Sequence, residues 1–120
     1  MQFLTPEQTD YFTSIYKKLD SKLCAECART QDIIPYIAED GRYKTDMRTE
    51  NLSWWTNGFW AGLLWQMYRA SGREEYRAVA HRTEVWLDDA LRSFEGLHHD
   101  VGFMWTLTAA ADWRLTQDSA

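Results

Sequence analysis

Apolar residues recur every three or four positions along most of the chain, and this period predicts four helices. The first helix covers residues 5–29. It begins with Thr5, Pro6 and Gln8, a combination that suits a capped N-terminus. Its apolar positions fall on one face and are Tyr11, Phe12, Ile15, Tyr16, Leu19, Leu23 and Cys27.

Between residues 30 and 53 the helical period is lost. Pro35 and the turn sequence Glu39-Asp40-Gly41 predict a loop with at most a short strand. The second helix covers residues 55–71 and is apolar around most of its circumference, which predicts burial on several sides. Its apolar residues are Trp54, Trp55, Phe59, Trp60, Leu63, Leu64, Trp65, Met67 and Tyr68. We expect Trp60 and Trp65 in the core and Trp55 at the rim.

The third helix begins at Glu74 and carries a narrower apolar stripe, so we expect one of its faces to be solvated. Charged residues, Glu84 among them, occupy the positions outside the stripe. The fourth helix runs from about Asp100 to Thr116 and is again mostly apolar. This order of buried, solvated and buried helices predicts two layers.

The same order indicates a repeat. The sequence Gly58-Phe59-Trp60 is echoed by Gly102-Phe103-Met104, 44 positions later. A helix pair of this length is typical of α-solenoids and toroids, which need about three or more repeats to bury their faces. We therefore expect an all-α fold of helix-pair repeats, in which residues 1–120 form one partial domain, truncated at its C-terminal end. A compact four-helix bundle is the alternative.

The composition argues against several classes of protein. A net charge of −5 disfavours a nucleic-acid partner and an anionic membrane surface. No apolar run approaches the roughly 20 residues of a membrane span, and no signal peptide is visible, so we expect a cytoplasmic protein. Two cysteines cannot build a disulfide scaffold. Cys24 and Cys27 share one helix without a second pair, which favours packing over zinc or redox chemistry.

Three residues are expected to meet at one rim of the fold. If Gly58 and Gly102 are equivalent, the two buried helices run parallel, and Trp55 and His99 each precede these glycines by three positions. Asp100 follows His99 directly. An indole, an imidazole and a carboxylate beside two positive helix ends would suit an anionic sugar. A carboxyl group at this place could also transfer protons.

Simpler interpretations exist for the same residues. Asp100 could serve only as the N-cap of the fourth helix, as aspartate often does. The sequence His98-His99-Asp100 resembles a metal-binding sequence, but adjacent residues rarely reach one ion. No other ligand cluster is visible in the sequence, and we therefore predict no metal.

Three blocks of the sequence resemble glycoside hydrolase family 88, the unsaturated glucuronyl hydrolases. They are Trp54-Trp55-Thr56-Asn57-Gly58-Phe59-Trp60-Ala61-Gly62, Ser71-Gly72-Arg73-Glu74-Glu75-Tyr76-Arg77 and His98-His99-Asp100-Val101-Gly102-Phe103-Met104. The resemblance implies an (α/α)6 barrel, of which this chain would be the N-terminal portion, with no metal and no organic cofactor. It also implies hydrolysis of a 4,5-unsaturated uronic acid from oligosaccharides left by polysaccharide lyases. In this reaction an acid protonates C4 of the vinyl ether and water adds at C5.

The resemblance also implies roles for individual residues. Asp100 matches the first of the family's two essential aspartates, and His99 and Trp55 match residues that line the sugar pocket. The second aspartate, the usual proton donor, lies on a later helix in the family and has no counterpart here. This chain alone is therefore expected to be inactive, and it could self-associate through the open end of the barrel. A non-catalytic helical-repeat binding module and a rhamnogalacturonyl hydrolase are the alternatives, and the His-His-Asp block favours family 88.

Overall fold

The computed structural model describes residues 4–117, which are about 70% helical with almost no sheet. The helices are α1 (Pro6–Thr30), α2 (Met47–Glu50), α3 (Phe59–Ser71), α4 (Glu74–Ser93), α5 (Val101–Thr106) and α6 (Ala109–Thr116). A 3-10 helix, Trp55–Gly58, leads into α3, and two short strands are β1 (Ala38–Glu39) and β2 (Arg42–Tyr43). The predicted all-α class is confirmed. None of the helices within residues 4–117 has the length and hydropathy that crossing a lipid bilayer requires.

Helix α1 begins as predicted but is buried along only part of its length. Thr5 and Gln8 form the expected capping box, each side chain accepting a hydrogen bond from the other residue's backbone N–H. Only the C-terminal part of the apolar stripe, Leu23 and Cys27, enters the core. The N-terminal part is exposed, and its large side chains are Tyr11, Phe12, Ile15 and Leu19.

The cysteine pair on α1 has a packing role, as predicted. Cys27 is buried in the core, and Cys24 packs against the same cluster. Burial raises the pKa of the Cys27 thiol to about 12. A thiol that stays protonated at neutral pH is a poor nucleophile and a poor metal ligand.

The segment between α1 and α3 contains more structure than predicted. Strands β1 and β2 form a hairpin whose turn residues, Asp40 and Gly41, both have positive φ. This is the geometry that the predicted turn sequence favours. The short helix α2 was missed because one turn is too short to show a period. It is fixed by Asp46, whose Oδ1 accepts hydrogen bonds from the N–H groups of Ile34 and Arg48.

Helices α3 and α4 form the centre of the core. Trp65 is completely buried, as predicted, and Trp60 packs partly buried against the same cluster. The predicted burial of α3 on several sides holds for the face that carries Ala61, Leu64 and Trp65. Phe59 and Leu63, which the same pattern counted as apolar positions, remain exposed. The prediction that Glu84 faces solvent is wrong. Its carboxyl group is buried and accepts a hydrogen bond of 2.5 Å from the indole N–H of Trp65.

The predicted fourth helix is in fact two helices, α5 and α6, which are separated at Leu107 and Thr108. Thr108 leaves the helical region, with φ −109° and ψ −98°. Its hydroxyl donates to the carbonyl of Met104 at 2.6 Å, a local bond that competes with the helical ladder. Leu107 packs against Gly62 at the same point. The apolar period continues across this break and therefore gives no sign of it.

The N-terminal part of α3 lies directly against α5. A Cβ atom on Gly58 would stand 2.6 Å from the carbonyl oxygen of Met104, and one on Gly62 would stand 2.9 Å from Cβ of Leu107. The two contacts advance along both segments in the same direction, so the segments run parallel. This confirms the orientation predicted from the repeat and places residues 51–58 beside residues 95–102.

Replacing Gly58 with alanine is expected to lower the free energy of unfolding by about 1–3 kcal/mol, because backbone atoms of α5 would have to move. Chemical denaturation of the chain measures the effect. Gly102→Ala is the matched control, since its added methyl group meets no atom within 4 Å. The control should leave stability unchanged or raise it by up to about 1 kcal/mol. Equal stabilities of the two variants would contradict the close packing.

Candidate active site

Two loops meet where the parallel segments begin. Ser53 donates a hydrogen bond from its hydroxyl to the carbonyl of Glu95 at 2.8 Å. A Cβ atom on Gly96 would stand 2.9 Å from the same hydroxyl, so the chain passes close to Ser53. These contacts fix the loop before α5, which carries His98, His99 and Asp100, against the loop before the 3-10 helix.

Asp100 occupies the N-cap position of α5 but does not act as a cap. Its side chain makes no capping hydrogen bond, and its backbone, with φ −89° and ψ 5°, lacks the extended conformation of a typical N-cap. The carboxylate instead lies 3.3 Å from Nε2 of His99. The interpretation of Asp100 as a simple helix cap therefore finds no support in the geometry.

The predicted residues His99 and Asp100 line a cavity of about 400 Å³ together with Phe103 and Leu107. The His99 imidazole is almost fully exposed, and about a third of the Asp100 side chain is exposed. Gly102 also faces this cavity and leaves room where another residue would place a side chain. An imidazole and a carboxylate that share an open cavity can bind an acidic ligand and move a proton.

The indole of Trp55 lies in the neighbouring groove of about 480 Å³, not in the same cavity. Three aromatic side chains, Trp55, Phe59 and Phe103, connect this groove with the cavity of His99 and Asp100. Phe59 stacks on Phe103 with ring centres 6.0 Å apart, and Trp55 lies 5.6 Å from Phe59 and 5.8 Å from Phe103. Exposed aromatic rings provide flat apolar surfaces of the kind that ligand sites use. The structure thus brings Trp55 to the rim of the His99 and Asp100 cavity through Phe103.

One of the two helix ends at this rim is weaker than the sequence predicted. Helix α5 has only six residues and sums few peptide dipoles, so its N-terminus contributes little to anion binding. The 3-10 helix that starts at Trp55, by contrast, leads directly into α3. Beside α5, the exposed imidazole of His99 is the group that can meet a carboxylate.

Within residues 4–117, two sets of side chains bring possible metal-ligand atoms within 4.8 Å of one another. They are His98, His99 and Asp100, and His81, Glu84 and Asp112. In the first set, both ring nitrogens of His98 are engaged with backbone groups, Nδ1 with Asp100 N–H and Nε2 with the carbonyl of Ser53. His98 therefore has no free lone pair to offer a metal ion.

The second set lies between α4 and α6 and was missed, because nothing in the sequence links Asp112 with His81. Nδ1 of His81 lies 3.2 Å from Asp112. Burial raises the pKa of Glu84 to about 8, and the nearby carboxylate of Asp112 adds to the shift. The indole N–H of Trp65 already engages one oxygen of this carboxyl group.

Sequence reasoning also missed Phe59 and Phe103 as parts of the site. The repeat carried the signal, since both residues follow the glycines by which the repeat was found. Asn57 is another residue of this region that the sequence did not identify. It is buried, and its side-chain amide donates to the carbonyls of Asn51 and Leu52 at 2.9 Å, which holds the loop before Trp55 in place.

Comparison with known proteins gives the same family as the sequence blocks. The chain is 37% identical over 91 residues to the unsaturated glucuronyl hydrolase of Bacillus sp. (strain GL1), a match over 74% of this chain and 23% of that protein. It is 38% identical over 86 residues to the unsaturated chondroitin disaccharide hydrolase of Streptococcus pyogenes serotype M1, a match over 71% of this chain and 21% of that protein.

The protein of the same name from Streptococcus agalactiae serotype III (strain NEM316) is 34% identical over 77 residues, which are 63% of this chain and 18% of that protein. The chain thus spans less than a quarter of the length of these relatives. No protein-family profile matches the chain. No solved structure matches it either. Over about three quarters of its own length, 74% in the first of these matches, the chain is thus similar to the unsaturated glucuronyl hydrolases, the glycoside hydrolase family 88 that the three sequence blocks resemble.

Proposed function

We propose that the complete protein containing this chain hydrolyses 4,5-unsaturated uronic acids from the non-reducing ends of oligosaccharides produced by polysaccharide lyases. One observation carries the proposal: the Asp100 carboxylate is not used as a helix cap and lines an open cavity beside His99. The names of the relatives, which are hydrolases of unsaturated glucuronyl or chondroitin substrates, support the same substrate class.

The residues of the cavity fit the steps of such a reaction. The imidazole of His99 would meet the uronate carboxylate, and Phe103 with Trp55 would present aromatic surfaces to the sugar rings. An acid then protonates C4 of the vinyl ether and water adds at C5, which gives a hemiketal that opens and releases the second sugar. Asp100 would hold the water or a partner carboxyl group in the correct protonation state.

A second aspartate and the rest of the pocket are required for this chemistry. In the (α/α)6 barrel that the resemblance implies, these groups lie on later helices. We therefore expect the 120-residue chain alone to show no turnover. We also expect the exposed apolar face of α1 to be covered by further helices of the barrel.

The test compares the product of the complete reading frame with the 120-residue chain. Each is incubated with unsaturated disaccharides from lyase digests, and the ultraviolet absorbance of the conjugated alkene is followed. We expect the absorbance to fall only with the complete protein. In D₂O the released keto sugar should carry deuterium at C4, because the proton is added there.

The matching saturated disaccharide is the control, and it should not be cleaved. Cleavage of the saturated sugar without deuterium at C4 would indicate ordinary glycoside hydrolysis and contradict the proposal. Binding of the disaccharides without any turnover by the complete protein would instead support the alternative, a non-catalytic binding module.

A further inference from the structure

His98 is held by two backbone groups from opposite sides of the site. Its Nδ1 lies 3.2 Å from the backbone nitrogen of Asp100, and its Nε2 lies 3.3 Å from the carbonyl oxygen of Ser53. An amide N–H only donates and a carbonyl only accepts. The two contacts are therefore satisfied together only by a neutral imidazole that carries its proton on Nε2.

This pair of hydrogen bonds acts on the backbone of Asp100. Asp100 lies in the sparsely populated region near ψ 0°, whereas a capping aspartate would be extended. In the extended conformation the side chain would turn towards the first N–H groups of α5. The bond from Asp100 N–H to His98 favours the observed conformation, in which the carboxylate stays beside His99.

The other end of the imidazole is anchored firmly. Ser53 is fixed by its own hydroxyl bond to Glu95 and by the close passage of Gly96. It also lies in the loop that Asn57 holds through two backbone carbonyls. His98 thus connects Asp100 to the segment that carries Trp55, across 45 positions of sequence.

We infer that His98 is a positioning residue, which fixes the backbone of Asp100 and thereby keeps its carboxylate available for catalysis. The inference rests on the proposed function, since it acts through Asp100. In this role, His98 does not contact the substrate. Replacement of His98 should therefore lower kcat and leave KM nearly unchanged, in contrast to replacement of a sugar-binding residue.

Two variants separate the two hydrogen bonds. Asparagine places an acceptor oxygen close to the position of Nδ1, so His98→Asn should retain the bond from Asp100 N–H. Glutamine extends an N–H towards the position of Nε2, so His98→Gln should retain only the bond to Ser53. We expect His98→Gln to lower kcat of the complete protein about 10- to 100-fold, with KM changed less than about threefold. His98→Asn should recover a large part of this loss.

A second measurement determines the protonated ring nitrogen of His98 in the unaltered protein. In the complete protein labelled with ¹⁵N-histidine, long-range ¹H–¹⁵N spectra report which ring nitrogen carries the proton. We expect His98 to show a protonated Nε2 and a bare Nδ1 at neutral pH, with its signals assigned by their loss in His98→Gln. His81→Gln is the control variant, because His81 belongs to α4 and its imidazole faces Asp112 of α6. It should leave kcat and the His98 signals unchanged.

The outcomes separate this inference from the proposed function. A His98 that is protonated on Nδ1, or a His98→Gln variant with full kcat, would overturn the positioning role. If Asp100→Asn keeps full activity, the proposed role of Asp100 itself fails. If Asp100→Asn is inactive while His98→Gln is fully active, only the inference about His98 fails.

Discussion

Replacement of Asp100 with asparagine in the complete protein is expected to lower kcat/KM for an unsaturated disaccharide by roughly 10²- to 10⁴-fold, the usual contribution of a group that takes part in proton transfer. The substitution keeps the shape of the side chain and an oxygen that can face Nε2 of His99. It removes the negative charge and the ability to hold a proton. The loss of alkene absorbance with time measures the effect.

The fold should not change in this variant. The Asp100 side chain makes no capping hydrogen bond and is partly exposed, so the free energy of unfolding should stay within about 0.5 kcal/mol of the native value. Asp89→Asn is the matched control, because Asp89 is an exposed carboxylate on α4 paired only with Arg92 among the described contacts. The control should retain full activity. An Asp100→Asn variant with near-normal kcat/KM would remove Asp100 from the mechanism.

The repeat made the site partly predictable from sequence. Equivalence of Gly58 and Gly102 requires parallel segments in close contact, and the structure has them. The same equivalence pairs Phe59 with Phe103, which stack in the site. The sequence was sufficient to predict this contact because equivalent positions of consecutive repeats lie next to each other in the fold.

Two of the features that the sequence did not predict depend on contacts between residues far apart in the chain. Burial of Glu84 follows from the indole N–H of Trp65, 19 positions away, and a charged residue in a helix is otherwise assigned to solvent. The role of His98 depends on the carbonyl of Ser53, 45 positions away. The break at Thr108 has a local cause, but the hydroxyl bond to Met104 leaves the apolar period intact.

The buried carboxyl group of Glu84 is expected to make the stability of the chain depend on pH. Burial raises its pKa from 4.5 to about 8, the carboxylates of Asp112 and Asp88 add to the shift, and the hydrogen bond from Trp65 opposes it. His81 lies 3.9 Å from the same carboxyl group. Glu84 is therefore protonated in the folded chain at neutral pH, between α3, α4 and α6.

The sign of the effect follows from proton linkage. The folded chain binds this proton more tightly than the unfolded chain, so the contribution of Glu84 to stability is complete below about pH 4.5. It declines as the pH rises through the interval from 4.5 to about 8 and is lost above it. Over this interval the free energy of unfolding should fall by an amount on the order of 4 kcal/mol from this group.

Glu84→Gln tests this account. Glutamine keeps an oxygen for the Trp65 indole and supplies an N–H to Asp112 in place of the carboxyl proton, but it does not titrate. Urea denaturation between about pH 5 and pH 9 should show a much flatter profile for the variant, which should be the more stable form at the alkaline end. Asp89→Asn should keep the native profile. If Glu84→Gln retained the native slope as well, the pH dependence would arise elsewhere, and Glu84 would already be ionised in the folded chain.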